Sequence, residues 1–155
     1  MPKKKETVLR EDNLILEDIK AQYNPKRFKF WKSLHVGPEE HVLDLEYSPH
    51  YRFLVQYDVE NEKLGKWCKD TPYFKMHSLY GRDKLWIYAK ISTFIELFES
   101  MKTTGFKGRI SVVETPVHKN VYNSGYEIYE GHHRGASCLY IGARTIPVYV
   151  VEPPR

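Results

Sequence analysis

The sequence predicts an α+β domain, and three observations carry that expectation. Residues 126–151 read as a strand, a glycine turn, a short helix and a second strand. Ile91, Phe94, Ile95, Phe98 and Met101 recur at helical spacing and mark a core-facing stripe. The composition, 41% hydrophobic and 28% charged over 155 residues, is that of one globular domain with a real core.

From the N-terminus, Met1 to Glu6 is a lysine-rich start expected to lack order. Leu9 to Tyr23 places Leu14, Ile15, Leu16 and Ile19 among acids, a modest helical pattern. Lys26-Arg27-Phe28-Lys29-Phe30-Trp31-Lys32 interleaves cations with rings. Single-stranded nucleic acid is bound by such interleaving, and an edge strand with buried aromatics produces it as well. Residues 1–40 are accordingly expected to be a basic N-terminal extension, partly disordered or helical.

His41 to Glu46 reads as a strand on which Asp44 and Glu46 share one face. They are either solvent-facing acids or candidates for a general base or magnesium ligand. Ser48-Pro49 reads as an N-cap followed by the first turn of a helix. His50 and Arg52 are then surface residues, or they hold a second phosphate or a substrate anion. Residues 58–82 lack clear periodicity and read as an inserted excursion, a lid or part of a pocket. Thr93-Phe94-Ile95-Glu96 is a capping-box candidate, and Gly105 can end the helix that carries the apolar stripe.

Within Glu130-Gly131-His132-His133-Arg134, a glycine precedes the expected helix start. Backbone N–H groups there lack intrahelical partners and the macrodipole adds positive charge, so phosphate suits the position. Gly131 permits a sharp turn, Arg134 offers a planar fork for two oxygens, and His132 and His133 can donate or titrate. A capped helix start serving folding alone is the alternative. A metal site built from Glu130, His132 and His133 with His118 or His77 is another, although neighbouring histidines diverge. Gly142 suits the helix stop, and Pro147 confines the last strand's proline to its start or to a sheet edge.

Glu130-Gly131-His132-His133-Arg134 followed by Ile146-Pro147-Val148 resembles the signature of the ParB/sulfiredoxin-like superfamily. Met101 to Phe106 before Arg109-Ile110-Ser111-Val112-Val113, and His41 to Leu54, are similar to the segments that precede it. The resemblance implies a small mixed β-sheet with packed helices over residues 41–155, interrupted by an insertion at about 58–82. Sulfiredoxins carry a cysteine where this chain has His132, so sulfinic acid reduction is not implied. Free-serine kinases of this fold share Gly-His-His-Arg preceded by an acid and bind nucleotide phosphates with it. They take a base from the opening strand, for which Glu46 and Asp44 are the nearest residues here. The resemblance therefore implies a nucleotide-binding phosphotransferase, small-molecule kinase-like, or an NTP hydrolase.

ATP, ADP or CTP with Mg²⁺ would sit on Gly131, His132, His133 and Arg134, with His50 and Arg52 alongside. Glu130 would be the acid/base or the metal ligand, His132 a charge stabiliser, and a small hydroxyl compound the acceptor. A ParB-like nucleic-acid-binding module or nuclease, and a non-catalytic nucleotide or phospho-ligand sensor, are the other functions to weigh. The net charge of +4 permits anionic partners without demanding nucleic acid. Cys68 and Cys138 have neither disulfide-framework nor zinc spacing, which favours the cytoplasm. No apolar run reaches the ~20 residues of a membrane helix. Oligomeric state is not encoded in any motif.

Overall fold

The computed structural model describes residues 6–22, 42–60, 71–114 and 125–152. Among these, the chain runs through β1 (Val8–Ile15), a 3-10 turn (Leu16–Asp18), β2 (Ile19–Gln22), β3 (Val42–Asp44) and a second 3-10 turn (Leu45–Tyr47). Helices α1 (Pro49–Glu60), α2 (Pro72–Leu79) and α3 (Lys84–Thr104) follow. Then come β4 (Ile110–Glu114), β5 (Tyr126–Glu130), α4 (His132–Tyr140) and β6 (Thr145–Val151). The strands form one mixed six-stranded sheet in the order β1-β6-β4-β5-β2-β3. β6 lies parallel to β4 and β5 parallel to β2, while the other pairs are antiparallel. The architecture is α+β.

Strand alternation sends Ile110, Val112, Ile146, Val148 and Val150 into one core. They meet Phe53 and Leu54 of α1, Tyr73 and Met76 of α2, and Ile87, Ile91, Phe94 and Phe98 of α3. Each such side chain contributes about 1.5–3 kcal/mol through burial. The 91–101 stripe is therefore core, and Gly105 at φ 78° closes α3 with its N–H on Met101 O at 2.9 Å.

Several expectations are corrected. Leu9 to Gln22 forms no α-helix but two strands joined by a 3-10 turn. β1 pairs with β6 from Val8↔Val151 to Ile15↔Thr145, and this long-range ladder outweighs a weak local helical pattern. The division at residue 40 fails for the same reason, because β2 lies inside the sheet between β5 and β3. Of the 58–82 stretch, the described residues 58–60 and 72–79 are helical. Asp58 belongs to α1, and α2 buries Tyr73 and Met76 in the core behind a Thr71 N-cap. Thr93 caps nothing: α3 starts ten residues earlier at Asp83, whose Oδ1 accepts from Trp86 N at 2.8 Å. The Thr93 hydroxyl donates instead to Ala89 O at 3.1 Å.

The Ser48 start of α1 stands as expected, with its Oγ accepting from Tyr51 N at 3.1 Å. Pro147 belongs to an internal strand, and its pairing with β4 begins only at Val148, so the proline lies just before the parallel ladder. Met1 to Lys5, Lys26–Lys32, Cys68 and His118 lie outside the described residues.

Candidate functional site: the glycine turn and its histidine cluster

Gly131 fixes the site. Its backbone adopts φ 115°, ψ 28°, a conformation that side chains strongly disfavour. An added Cβ would fall 2.6 Å from Ile110 Cγ2, so the turn presses directly on β4. Further along α4, Gly135 allows the same close approach, since a Cβ there would meet Ile128 Cδ1 at 3.2 Å. The helix closes with Gly142 N on Leu139 O at 3.1 Å and Ala143 N on Cys138 O at 3.0 Å. That paired pattern is a Schellman stop with glycine in the left-handed position.

No side chain caps the start of α4. The turn opens instead on a cleft of about 230 Å³ between α4 and α3. Glu130, Gly131, His133 and Arg134 line one wall, with Lys90, Thr93, Phe94 and Leu97 opposite. Two cations, one carboxylate and a hydroxyl thus surround a helix N-terminus.

Behind the cleft, four histidines gather around Tyr73 and Phe94. His50, at the start of α1 and 6% exposed, lies 5.5 Å from the ring of His132 in a near-parallel stack. Its edge meets His133 at 4.6 Å. His133 packs on Phe94 at 4.7 Å, and its Nε2 lies 2.8 Å from the Tyr73 hydroxyl. His77 of α2 contacts Tyr73 at 4.7 Å. Burial pushes His133 down to about 3, with Lys90, His132 and His77 adding to it. Burial also holds His50 well below its ordinary value, helped by His133, His132, His77 and Lys90. His77 falls to about 4 through burial, Lys90 and Arg82. Burial raises Tyr73, so its hydroxyl keeps its proton.

The sequence-derived residues therefore divide. Glu130, Gly131, His133 and Arg134 share the cleft, and His132 and His50 stand behind it. His50 and His133 are neutral at pH 7, so the positive charge expected from the basic cluster comes from Arg134 and Lys90. Arg52, two residues beyond His50 on α1, lies about 200° away around the helix and is exposed.

Asp44 and Glu46 do not share a strand face, because β3 ends at Asp44 and a 3-10 turn follows. They line a second cleft of about 340 Å³ with Glu17, Lys20 and Tyr51, which shares no residue with the first. Asp44 is ion-paired there with Lys20 Nζ. Neither carboxylate serves the glycine turn.

Among the described residues, no group of three or more His, Cys, Asp and Glu side chains is arranged to hold a metal ion. The alternative metal set of Glu130, His132, His133 and His77 therefore does not converge, and the Tyr73 hydroxyl already engages His133 Nε2. Cys138 is buried in α4 and pushed up to about 11, the opposite of an activated thiolate. Lys90, Thr93, Tyr73 and Phe94 were not legible as site residues. They occur in helical patterns that read as core or solvated face, and only the packing of α3 and α2 against α4 brings them in. No helix among the described residues is long and apolar enough to cross a membrane. Compared with protein-family models, curated proteins and solved structures, the chain matches none.

Proposed function

We propose that this chain is a nucleotide-binding protein of ParB/sulfiredoxin-like fold that transfers or hydrolyses a terminal phosphoryl group. One observation carries the reading: a helix N-terminus without a side-chain cap, led by a glycine where a Cβ would clash with Ile110, faces a cleft flanked by Arg134 and Lys90. Backbone donors, a positive dipole end and two cations converge where a phosphate would sit. The element order agrees with the superfamily signature, from α3 and Gly105 through β4, then β5, Gly131, α4, Gly142 and β6. At about 230 Å³ the cleft suits the phosphate end of a nucleotide better than a whole one.

Among the described residues, Glu130 is the one carboxylate lining the cleft. An acceptor hydroxyl, from water or a small alcohol, would attack the terminal phosphorus in line. The new O–P bond forms as the bond to the bridging oxygen breaks, and the nucleoside diphosphate leaves with the electron pair. Glu130 takes the hydroxyl proton, while Arg134, Lys90 and the turn amides stabilise charge on the transferring group. Mg²⁺ would be held chiefly by the phosphate oxygens, leaving the Glu130 carboxylate to act as the base. When bound, the ion would neutralise phosphate charge.

Calorimetric titration of ATP, ADP and CTP with Mg²⁺ into wild type and Arg134→Ala tests the reading. Binding by wild type and its loss in the variant is expected, and no binding by wild type refutes it. Glu130→Gln then separates catalysis from sensing: a transferase keeps affinity and loses turnover.

A further inference from the structure

On α3, Trp86, Lys90, Thr93 and Leu97 stand at i, i+4, i+7 and i+11, one continuous stripe. The last three line the glycine-turn cleft, so Trp86 extends that wall one turn beyond it. From Phe94, which touches His133, back to Trp86 is eight residues, about 12 Å of helix rise. An extended nucleoside triphosphate reaches about that far from terminal phosphate to base. Trp86 is half-buried and anchored on one edge by His77, with ring centroids 5.1 Å apart. The exposed Arg82 guanidinium rests over the indole at 4.5 Å. The indole is thus held in place against the core, with an exposed side chain over its ring. On another face of the same end of α3, about 200° around the helix from Trp86, Lys84 lies over Tyr88 at 5.7 Å.

We infer that Trp86 is the base-stacking platform of the nucleotide site, with Arg82 closing over the base and Lys90 bridging to the phosphates. This rests on the nucleotide reading of the Gly131 turn and adds the place of the base, which separates a nucleotide from a phosphorylated compound without one. A nucleobase offers a flat π-face to the indole, and the guanidinium that rests there moves to the outer face of the base. Such stacking does not discriminate strongly among bases, so ATP and CTP are both accommodated.

The test is calorimetric titration of ATP and of inorganic tripolyphosphate, each with Mg²⁺, into wild type, Trp86→Ala, Trp86→Phe and Trp86→Leu. Wild type should prefer ATP by about tenfold or more. Trp86→Ala and Trp86→Leu should lose about fivefold to a hundredfold of ATP affinity and keep that for tripolyphosphate. Trp86→Phe should retain most of the preference. Thermal melts report folding, and Trp86→Leu keeps bulk without an aromatic face should the alanine variant unfold. Equal wild-type affinity for the two ligands, or equal losses for both in Trp86→Leu, overturns the stacking role. In that event, loss of both ligands in Arg134→Ala would leave the phosphate site standing. If wild type binds neither ligand, the phosphate reading fails and the stacking platform fails with it.

Discussion

Acidification should unfold this protein through its histidine cluster well before most carboxylates titrate. In the unfolded chain a histidine has a pKa near 6.5, whereas His133 in the fold lies at about 3. Between those values the unfolded state binds a proton that the folded state does not, so stability falls as pH drops. Above about pH 6.5 both states are neutral there and the contribution is complete. From pH 7 to 5, His133 alone costs about 2 kcal/mol. His50 moves in the same direction, and His77, more open to solvent, adds a smaller share. The groups facing the cluster reinforce the effect: Lys90 from α3, Arg82 before it and His132 from α4 all oppose another positive charge. Against a typical domain stability of about 5–15 kcal/mol, this loss is large. Urea denaturation at pH 7, 6 and 5, on wild type and His133→Phe, measures it. The variant starts lower, having lost the Tyr73 contact, yet its change from pH 7 to 5 should be smaller by about 2 kcal/mol. Parallel curves for the two proteins would refute the assignment of acid lability to His133.

Two further substitutions probe the geometry. Gly131→Ala places a methyl within 2.6 Å of Ile110 Cγ2 at φ 115°, and strain plus overpacking should cost about 2–5 kcal/mol in urea denaturation. Asp83→Ala removes the N-cap of α3 and should cost about 1 kcal/mol, read as a lowered melting temperature.

The sequence determined the elements whose signals are local. Ser48 with Pro49, the apolar stripe ending at Gly105, and the passage from β5 through Gly131 and α4 to Gly142 and β6 were all legible. Capping chemistry, glycine conformation and helical periodicity act within a few residues of themselves. The α+β class followed from those pieces. Tertiary structure decided the rest. Residues 8–22 became strands because β6 and β5 offered them partners, which no short window contains. Thr71 and Asp83, real caps, sat within and just after a stretch without periodicity, while Thr93 imitated a cap in mid-helix.

The site divided the same way. Glu130 to Arg134 lie side by side in the chain and raised the expectation of an anion-binding turn. Which of them carry charge was decided by packing: burial against Tyr73 and Phe94 keeps His133 neutral, and α3 delivers Lys90 to the cleft. Asp44 and Glu46 were separated from it when the chain left β3 for a 3-10 turn. Desolvation and convergence depend on which elements meet, and residues thirty or more positions apart record that only once the chain is folded.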